Sequence, residues 1–135
     1  MNKIEHIGIA VKDIKTSNEL FSKLLNTLPY KMEEVESEGV ITSFFRVGDT
    51  KIELLQPTNP ESAIAKFIEK RGEGIHHIAF GVSDAQNEID RLLSEGFDML
   101  NKFPKDGADH KIIAFAHPKS TNGMLVELCQ EKINP

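Results

Sequence analysis

The sequence predicts an α+β domain in which two tandem βαβββ modules form a cupped, barrel-like mixed sheet. Two internal repeats indicate this fold. His-Ile-Gly-Ile-Ala-Val-Lys-Asp at 6–13 returns 71 positions later as His-Ile-Ala-Phe-Gly-Val-Ser-Asp at 77–84. Glu-Leu-Leu-Gln at 53–56 is answered by Glu-Leu-Cys-Gln at 127–130. A unit that occurs twice predicts two similar halves, which we place at about 1–58 and 72–135 of a single domain, joined by a helix over 60–71.

The first half has the pattern of one βαβββ module. Residues 4–11 alternate large apolar side chains with smaller or polar ones, as a half-buried strand does. Asp13 is placed to cap a helix of about a dozen residues. The apolar positions of that helix are Leu20, Phe21, Leu24 and Leu25. Three further segments have strand character, the first of them an acidic run that also suits an exposed loop: 33–38, 40–47 and 51–56.

The second half repeats this order after the connecting helix. Asn59 and Pro60 predict the start of the connecting helix, and Gly72 its end. Its apolar stripe consists of Ile64, Phe67 and Ile68. A strand over 75–82 then leads to a helix that Asp84 can cap. The inward positions of that helix are predicted to be Ile89, Leu92 and Leu93. Extended segments are expected at 97–103, 111–116 and 124–130, with a polar loop between the first two and a frayed tail at 131–135.

Bulk properties exclude several classes of protein. The net charge of −5 argues against nucleic acid as the main partner. No apolar run approaches the ~20 residues of a membrane span, and no secretory signal is visible at the N-terminus. Cys129 is the single cysteine, so an internal disulfide is impossible. We therefore expect a cytoplasmic protein that interacts with neither membranes nor nucleic acid.

The repeats also place the same two metal-binding residue types in both halves. His6 and Glu53 are 47 residues apart, and His77 and Glu127 are 50 apart. If the large apolar residues of each strand face a helix, these four side chains point to the opposite, concave face, where the two histidines have small neighbours. Two imidazoles and two carboxylates suit a divalent transition metal such as Co, Ni, Zn, Mn or Fe.

Each of the four residues, taken alone, is better explained as a hydrogen-bonded or solvated strand residue. Their recurrence in register changes this interpretation, because independent surface residues have no reason to repeat. His76 has no such counterpart, since position 5 is Glu, and we interpret it as structural.

Several stretches resemble the vicinal oxygen chelate (glyoxalase/bleomycin resistance/dioxygenase) superfamily and, within it, the methylmalonyl-CoA epimerases. They are Ile-Glu-His-Ile-Gly-Ile-Ala-Val at 4–11, Lys-Ile-Glu-Leu-Leu-Gln-Pro at 51–57, Ile-Ala-Lys-Phe-Ile at 64–68, Gly-Glu-Gly-Ile-His-His-Ile-Ala at 72–79 and His-Pro-Lys-Ser-Thr-Asn-Gly-Met-Leu-Val-Glu-Leu at 117–128. The Gly-Ile-His-His-Ile and His-Pro-Lys elements are the more specific to the epimerases.

The resemblance implies a reaction and a site. The reaction is the 2R/2S interconversion of methylmalonyl-CoA through an enolate that a divalent metal (Co, Ni, Zn, Mn or Mg) stabilises. It implies His6, Glu53, His77 and Glu127 as metal ligands, with Glu127 also a catalytic base. The partner implied is an acyl-CoA substrate. We also expect a homodimer, because an open cup of strands exposes apolar edges that a second copy would cover. Substrate-binding residues are not identified, although Lys119 is the best placed to meet a phosphate.

The chain departs from the family at two positions. Glu53 is a glutamine in some relatives. Some also carry a glutamate three residues after the glycine matched by Gly39, where this chain has Thr42. The same ligand set also suits a lactoylglutathione lyase, and a non-catalytic binding protein of the superfamily would lack the metal. An extradiol dioxygenase fits less well, because those enzymes usually have longer chains and three protein ligands.

Overall fold

A computed structural model describes residues 1–133, and the end of the predicted frayed tail, at 134–135, lies outside them. The described chain is α+β, as predicted. Its elements are β1 (Lys3–Ala10), α1 (Ile14–Leu25), β2 (Lys31–Val35), β3 (Val40–Val47), β4 (Thr50–Pro57), α2 (Ala63–Arg71), β5 (Gly74–Gly81), α3 (Ala85–Ser94), β6 (Lys105–Asp106), β7 (Lys111–Ala116) and β8 (Leu125–Glu131). Across residues 1–133, no helix is both long and apolar enough to cross a membrane.

The chain divides into two compact units, the first of which comprises residues 6–76. Its strands pair in the order β2-β3-β4-β1, with β4 and β1 parallel and the other pairs antiparallel. The second unit comprises residues 1–5 together with the chain from 77 onward. Its strands pair as β5-β8-β7-β6, again with the first pair parallel. Each unit therefore has the predicted mixed pairing of a βαβββ module.

Helix α1 packs on one face of the first unit. It buries Ile14 and packs Phe21 and Leu25 against alternate residues of the strands. The strand residues in this layer are Ile9, Val11, Ile41, Phe45, Ile52 and Leu54. Leu20 and Leu24 are 61% and 68% exposed, which corrects the predicted apolar stripe. The stripe that faces the sheet runs through positions 14, 21 and 25, so Leu20 and Leu24 lie on the solvent side.

Helix α2 packs on the opposite face of the same unit, where Ile64, Phe67 and Ile68 meet Ala10, Val40 and Leu55. It begins three residues after the predicted start at 60. Ser62 is the N-cap, and its hydroxyl accepts the Ala65 N–H at 3.1 Å. The Asn59 side chain instead accepts the Glu61 N–H in a local turn at 2.9 Å. Gly72 ends the helix with a positive φ, as predicted.

Helix α3 covers the equivalent face of the second unit. Ile89 and Leu92 are buried against alternate residues of the strands, among them Phe80, Val82, Val126 and Leu128. Leu93 was predicted to face inward, but it is 39% exposed because it lies outside the stripe that Ile89 and Leu92 form on the buried side of α3.

The predicted extended segment 97–103 contributes a single bridge, from Met99 to Ala116. The predicted polar loop that follows contains the two-residue strand β6.

The repeated motifs cap the first helix of each unit in the same way. Asp13 and Asp84 are the N-caps of α1 and α3 and accept backbone N–H groups of the first turn. Gln56 Oε1 accepts the Ile14 N–H at 2.7 Å, and Gln130 Oε1 accepts the Ala85 N–H at 2.8 Å. These bonds pair N–H groups that a helix start leaves without intrahelical partners. The terminal Gln of each repeated Glu-x-x-Gln motif therefore anchors a helix.

Candidate metal centre

The first half holds a buried histidine–glutamate pair on the face away from α1. In the parallel pairing of β1 with β4, His6 lies opposite Lys51 and Gly8 opposite Glu53. Side chains alternate along a strand, so His6 and Glu53 share one face. His6 Nδ1 lies 3.1 Å from Glu53 Oε2, and both side chains are buried.

The second half repeats this pair. Glu127 of β8 lies opposite Ala79 of β5, and His77 lies two residues earlier on the same face. His77 Nε2 is 3.3 Å from Glu127 Oε1, and both residues are buried. The Phe115 ring meets the imidazole edge-on, with the ring centroids 6.1 Å apart. The sheet of each half therefore brings together the histidine and the glutamate that the sequence singled out in it.

The donor chemistry of each pair fits a divalent cation. A buried carboxylate is costly unless a proton, a cation or hydrogen bonds compensate its charge. In each pair the histidine places an imidazole nitrogen close to the glutamate, where it helps to compensate the carboxylate charge. An imidazole nitrogen is also a good metal ligand. His6, His77 and Glu127 each offer a buried atom that can bind a metal ion. Imidazole and carboxylate donors suit Zn, Mn, Co, Ni and Fe.

The face that carries the first pair continues onto β3. Phe44 lies opposite Glu53, and Thr42 opposite Leu55, in the β3–β4 register. Both β3 residues are fully buried. The Thr42 hydroxyl is buried and has no hydrogen-bond partner among residues 1–133. A buried hydroxyl without a partner is costly, so a group that hydrogen-bonds to it would be stabilised here.

His76 has the structural setting that the sequence indicated. Its ring packs edge-on against Phe67 of α2, with centroids 5.0 Å apart. Burial lowers its pKa from 6.5 to about 4, because the charged imidazolium would lose its hydration. His76 is therefore neutral at pH 7.

Lys119, the predicted phosphate contact, lies on a 3₁₀ turn over Pro118–Ser120. Its ammonium is 2.7 Å from Asp98 Oδ2. This hydrogen bond and the lysine charge lower the pKa of Asp98. Lys119 is thus already paired with a carboxylate, at the surface of the second half.

Sequence reasoning missed one buried acid. Glu5 is buried, and its carboxylate lies 3.8 Å from the thiol of Cys129. The repeat could not have revealed this residue, because its equivalent position holds His76. Its neighbourhood depends on contacts between the start of β1 and β8, which no local motif encodes.

The comparisons with known proteins agree with this geometry. The family model for the Glyoxalase/Bleomycin resistance protein/Dioxygenase superfamily matches residues 5–115. The chain belongs to this superfamily. This identification confirms the predicted fold class, which the mixed pairing of both units also supports.

Two relatives and one solved structure are similar over almost the whole chain. The ethylmalonyl-CoA/methylmalonyl-CoA epimerase of Cereibacter sphaeroides is 38% identical over 132 residues, covering 96% of this chain and 98% of that protein. The uncharacterized protein YqjC of Bacillus subtilis is 39% identical over 132 residues, covering 98% and 94%. A Streptomyces coelicolor methylmalonyl-CoA epimerase variant in complex with 2-nitronate-propionyl-CoA has a TM-score of 0.95 and 31% identity, covering 100% and 99%. The predicted resemblance to the epimerases is thereby confirmed.

Proposed function

We propose that this protein is a metal-dependent epimerase of methylmalonyl-CoA. The observation that carries the proposal is the buried histidine–glutamate pair that recurs at the same strand positions in both halves. The epimerase relatives, similar from end to end, supply the substrate class. In such a substrate the carbon between a thioester and a carboxylate carries an acidic hydrogen, and inversion requires this proton to leave and another to return on the opposite face.

The metal ligands in this proposal are His6, Glu53, His77 and Glu127, within one domain made of both modules. A divalent cation, when bound, supplies Lewis acidity to the thioester carbonyl, which lowers the barrier to proton removal. Co, Ni, Zn, Mn and Mg are the candidates. The imidazoles give the site its preference for borderline metals, and the buried carboxylates balance the cation's charge.

Glu127 is proposed to move a proton at the substrate carbon. Its carboxylate can accept the proton and hold it as the carboxylic acid, and His77 at 3.3 Å keeps it oriented. A base in this role must reach within ~3 Å of the hydrogen, directly or through one water.

The deciding experiment follows solvent deuterium into methylmalonyl-CoA. We expect the wild type, loaded with Co²⁺, to exchange the α-hydrogen and interconvert the epimers. Glu127→Gln should lower interconversion of the epimers, and exchange into the epimer whose α-hydrogen Glu127 removes, by roughly a hundredfold or more, because general acid–base catalysis contributes about 10²–10⁴. Glu95→Gln, at the exposed end of α3, is the control and should behave as the wild type. Exchange that is unchanged in Glu127→Gln removes this residue from the chemistry.

The same protein preparation tests the alternatives. Turnover of glutathione hemithioacetal, without exchange into methylmalonyl-CoA, would assign a lactoylglutathione lyase instead. Protein that neither carries nor gains a stoichiometric transition metal would indicate a binding protein.

We further propose a cytoplasmic homodimer, for which light scattering should give about twice the 15.1 kDa chain mass. A monomer at micromolar concentration would contradict the dimer.

A further inference from the structure

The edge strand of the first half, β2, carries a glutamate directly opposite Thr42, the position at which some epimerases have a glutamate. Glu33 of β2 is paired with Thr42 of β3 in the antiparallel register. Directly opposed residues of such a pair have Cβ atoms about 5 Å apart on the same face. That face is the one that holds His6 and Glu53, because Thr42, Phe44 and Glu53 share it. Glu33 therefore belongs to the same surface as the first ligand pair.

The turn between β2 and β3 fixes this register. Residues Glu36–Glu38 form one 3₁₀ turn that Gly39 closes with a φ of 65°. A Cβ at Gly39 would lie 2.8 Å from the Asn59 side chain and 2.9 Å from that of Ser62, so the turn lies tightly against the start of α2. A slip of one residue would move Glu33 to the other face of the strand, and Val35 would lose its packing against α2.

Thr42 cannot replace the carboxylate that some relatives carry at its position. A hydroxyl is far too weak a base to take a proton from carbon. Its oxygen is nevertheless buried and has no hydrogen-bond partner within residues 1–133, and the residue is only 1% exposed. A substrate, or a water beside Glu33, that reached this hydroxyl could hydrogen-bond to it.

Glu33 is available to a ligand and is held in place. Its side chain is 36% exposed, in contrast to the buried Glu53. Lys31, two residues earlier on the same face, has its ammonium 3.2 Å from Glu33 Oε1. The ammonium also lies 5.1 Å from the centre of the buried Phe44 ring. Lys31 thus keeps the carboxylate over the face rather than leaving it to rotate into solvent.

We propose that Glu33 is the second proton-transfer group, replacing the carboxylate that relatives carry at the Thr42 position. The inference rests on the proposed function. In one direction Glu127 takes the α-proton as the C–H bond breaks, and the carboxylic acid form of Glu33 delivers its proton to the opposite face of the enolate. The reverse direction exchanges the two roles. Each turnover leaves the proton on the other carboxyl group, and exchange with water restores both.

The test separates epimerisation from proton exchange. We expect Glu33→Gln to slow interconversion of the epimers by a hundredfold or more. The same variant should still exchange deuterium into one epimer, the one whose α-hydrogen faces Glu127, at a rate within about threefold of the wild type. Thr42→Glu added to Glu33→Gln should restore at least tenfold of the lost interconversion. The control is Glu34→Gln, an exposed glutamate on the opposite face of β2.

Two outcomes would overturn the assignment while leaving the proposed function intact. One is interconversion by Glu33→Gln within threefold of the wild type. The other is an equal loss of exchange into both epimers, which would mean that Glu33 supports the fold of the site instead of one face of the substrate. A wild type that neither exchanges nor interconverts methylmalonyl-CoA would instead overturn the proposed function, and this inference with it.

Discussion

This chain has a glutamate, Glu53, at a position where some relatives have glutamine. A carboxylate 3.1 Å from His6 gives the first pair a negative charge that an amide cannot supply. We therefore expect Glu53→Gln to weaken Co²⁺ or Zn²⁺ binding by roughly ten- to a hundredfold, as loss of a charged ligand does. Chelator competition measures the affinity directly.

The control for this prediction is Glu61→Gln, which removes an exposed charge from the same half and should leave the affinity unchanged. Equal affinities for wild type and Glu53→Gln would show that Glu53 is not a ligand, and that its burial is only that of a partner to His6.

His76 gives the protein a pH dependence of stability with a definite sign. Its pKa is about 4 in the folded protein, below the 6.5 of an ordinary histidine. The unfolded chain therefore binds this proton first as the pH falls, so stability is lost between about pH 6.5 and 4. The full shift corresponds to about 3 kcal/mol. Urea denaturation of metal-free His76→Phe should show a correspondingly shallower decline between pH 6.5 and 4.

The exposed His110 provides the matched control. It has a positive φ of 56°, a conformation that asparagine tolerates, so His110→Asn should keep the wild-type pH profile. A decline that is as steep in His76→Phe as in the wild type would assign the acid sensitivity to other groups.

At the scale of elements, each half joins its last strand to its first helix through one glutamine. Gln130 Oε1 accepts the N–H of Ala85, which is completely buried at the start of α3. Removing the amide leaves this N–H without a partner, which costs about 1–3 kcal/mol. We expect Gln130→Ala to lower the free energy of unfolding by this amount in urea denaturation.

Gln86→Ala serves for comparison, because Gln86 is on the same helix but donates only exposed bonds, to the side chain of Asp90 and the carbonyl of Lys102. Its loss should change the free energy of unfolding by less than about 0.5 kcal/mol, as is usual for surface substitutions. Similar effects of the two substitutions would mean that the strand-to-helix bond adds nothing to stability.

The sequence predicted the elements well where one periodicity was decisive. Alternation along β1, β4, β5 and β8 assigned the histidine and the glutamate of each pair to the correct face, because a strand has only two faces. Helix faces were less certain: Leu20, Leu24 and Leu93 are apolar but lie outside the buried stripes, and only packing decides which apolar positions of a helix are buried. β6 was missed because its two residues are strand only by pairing with β7, and a two-residue segment has no alternation of its own to indicate a strand.

For the whole molecule, the candidate site was predictable in part. His6, Glu53, His77 and Glu127 could be found because duplication marks them twice. Glu33 could not, since it lies in a run of acids that local sequence assigns to a solvated edge. Its relevance emerges from the register that places it opposite Thr42. A residue that joins a site only through the pairing of its strand with another cannot be recognised from the local sequence before that pairing is known.

The proposed ligand set draws on both modules, so metal binding should stabilise the chain as one domain. A ligand that binds only the folded state at a hundredfold excess over its Kd adds about 2.7 kcal/mol. We expect calorimetry of the Co²⁺-loaded protein to show one cooperative transition, at a higher Tm than in chelator. Glu127→Gln, which lacks a ligand from the second half, should lose most of this rise, whereas the exposed Glu95→Gln should keep it. Two separate transitions, with Co²⁺ raising only one of them, would show that the halves unfold independently and that the cation binds within a single half.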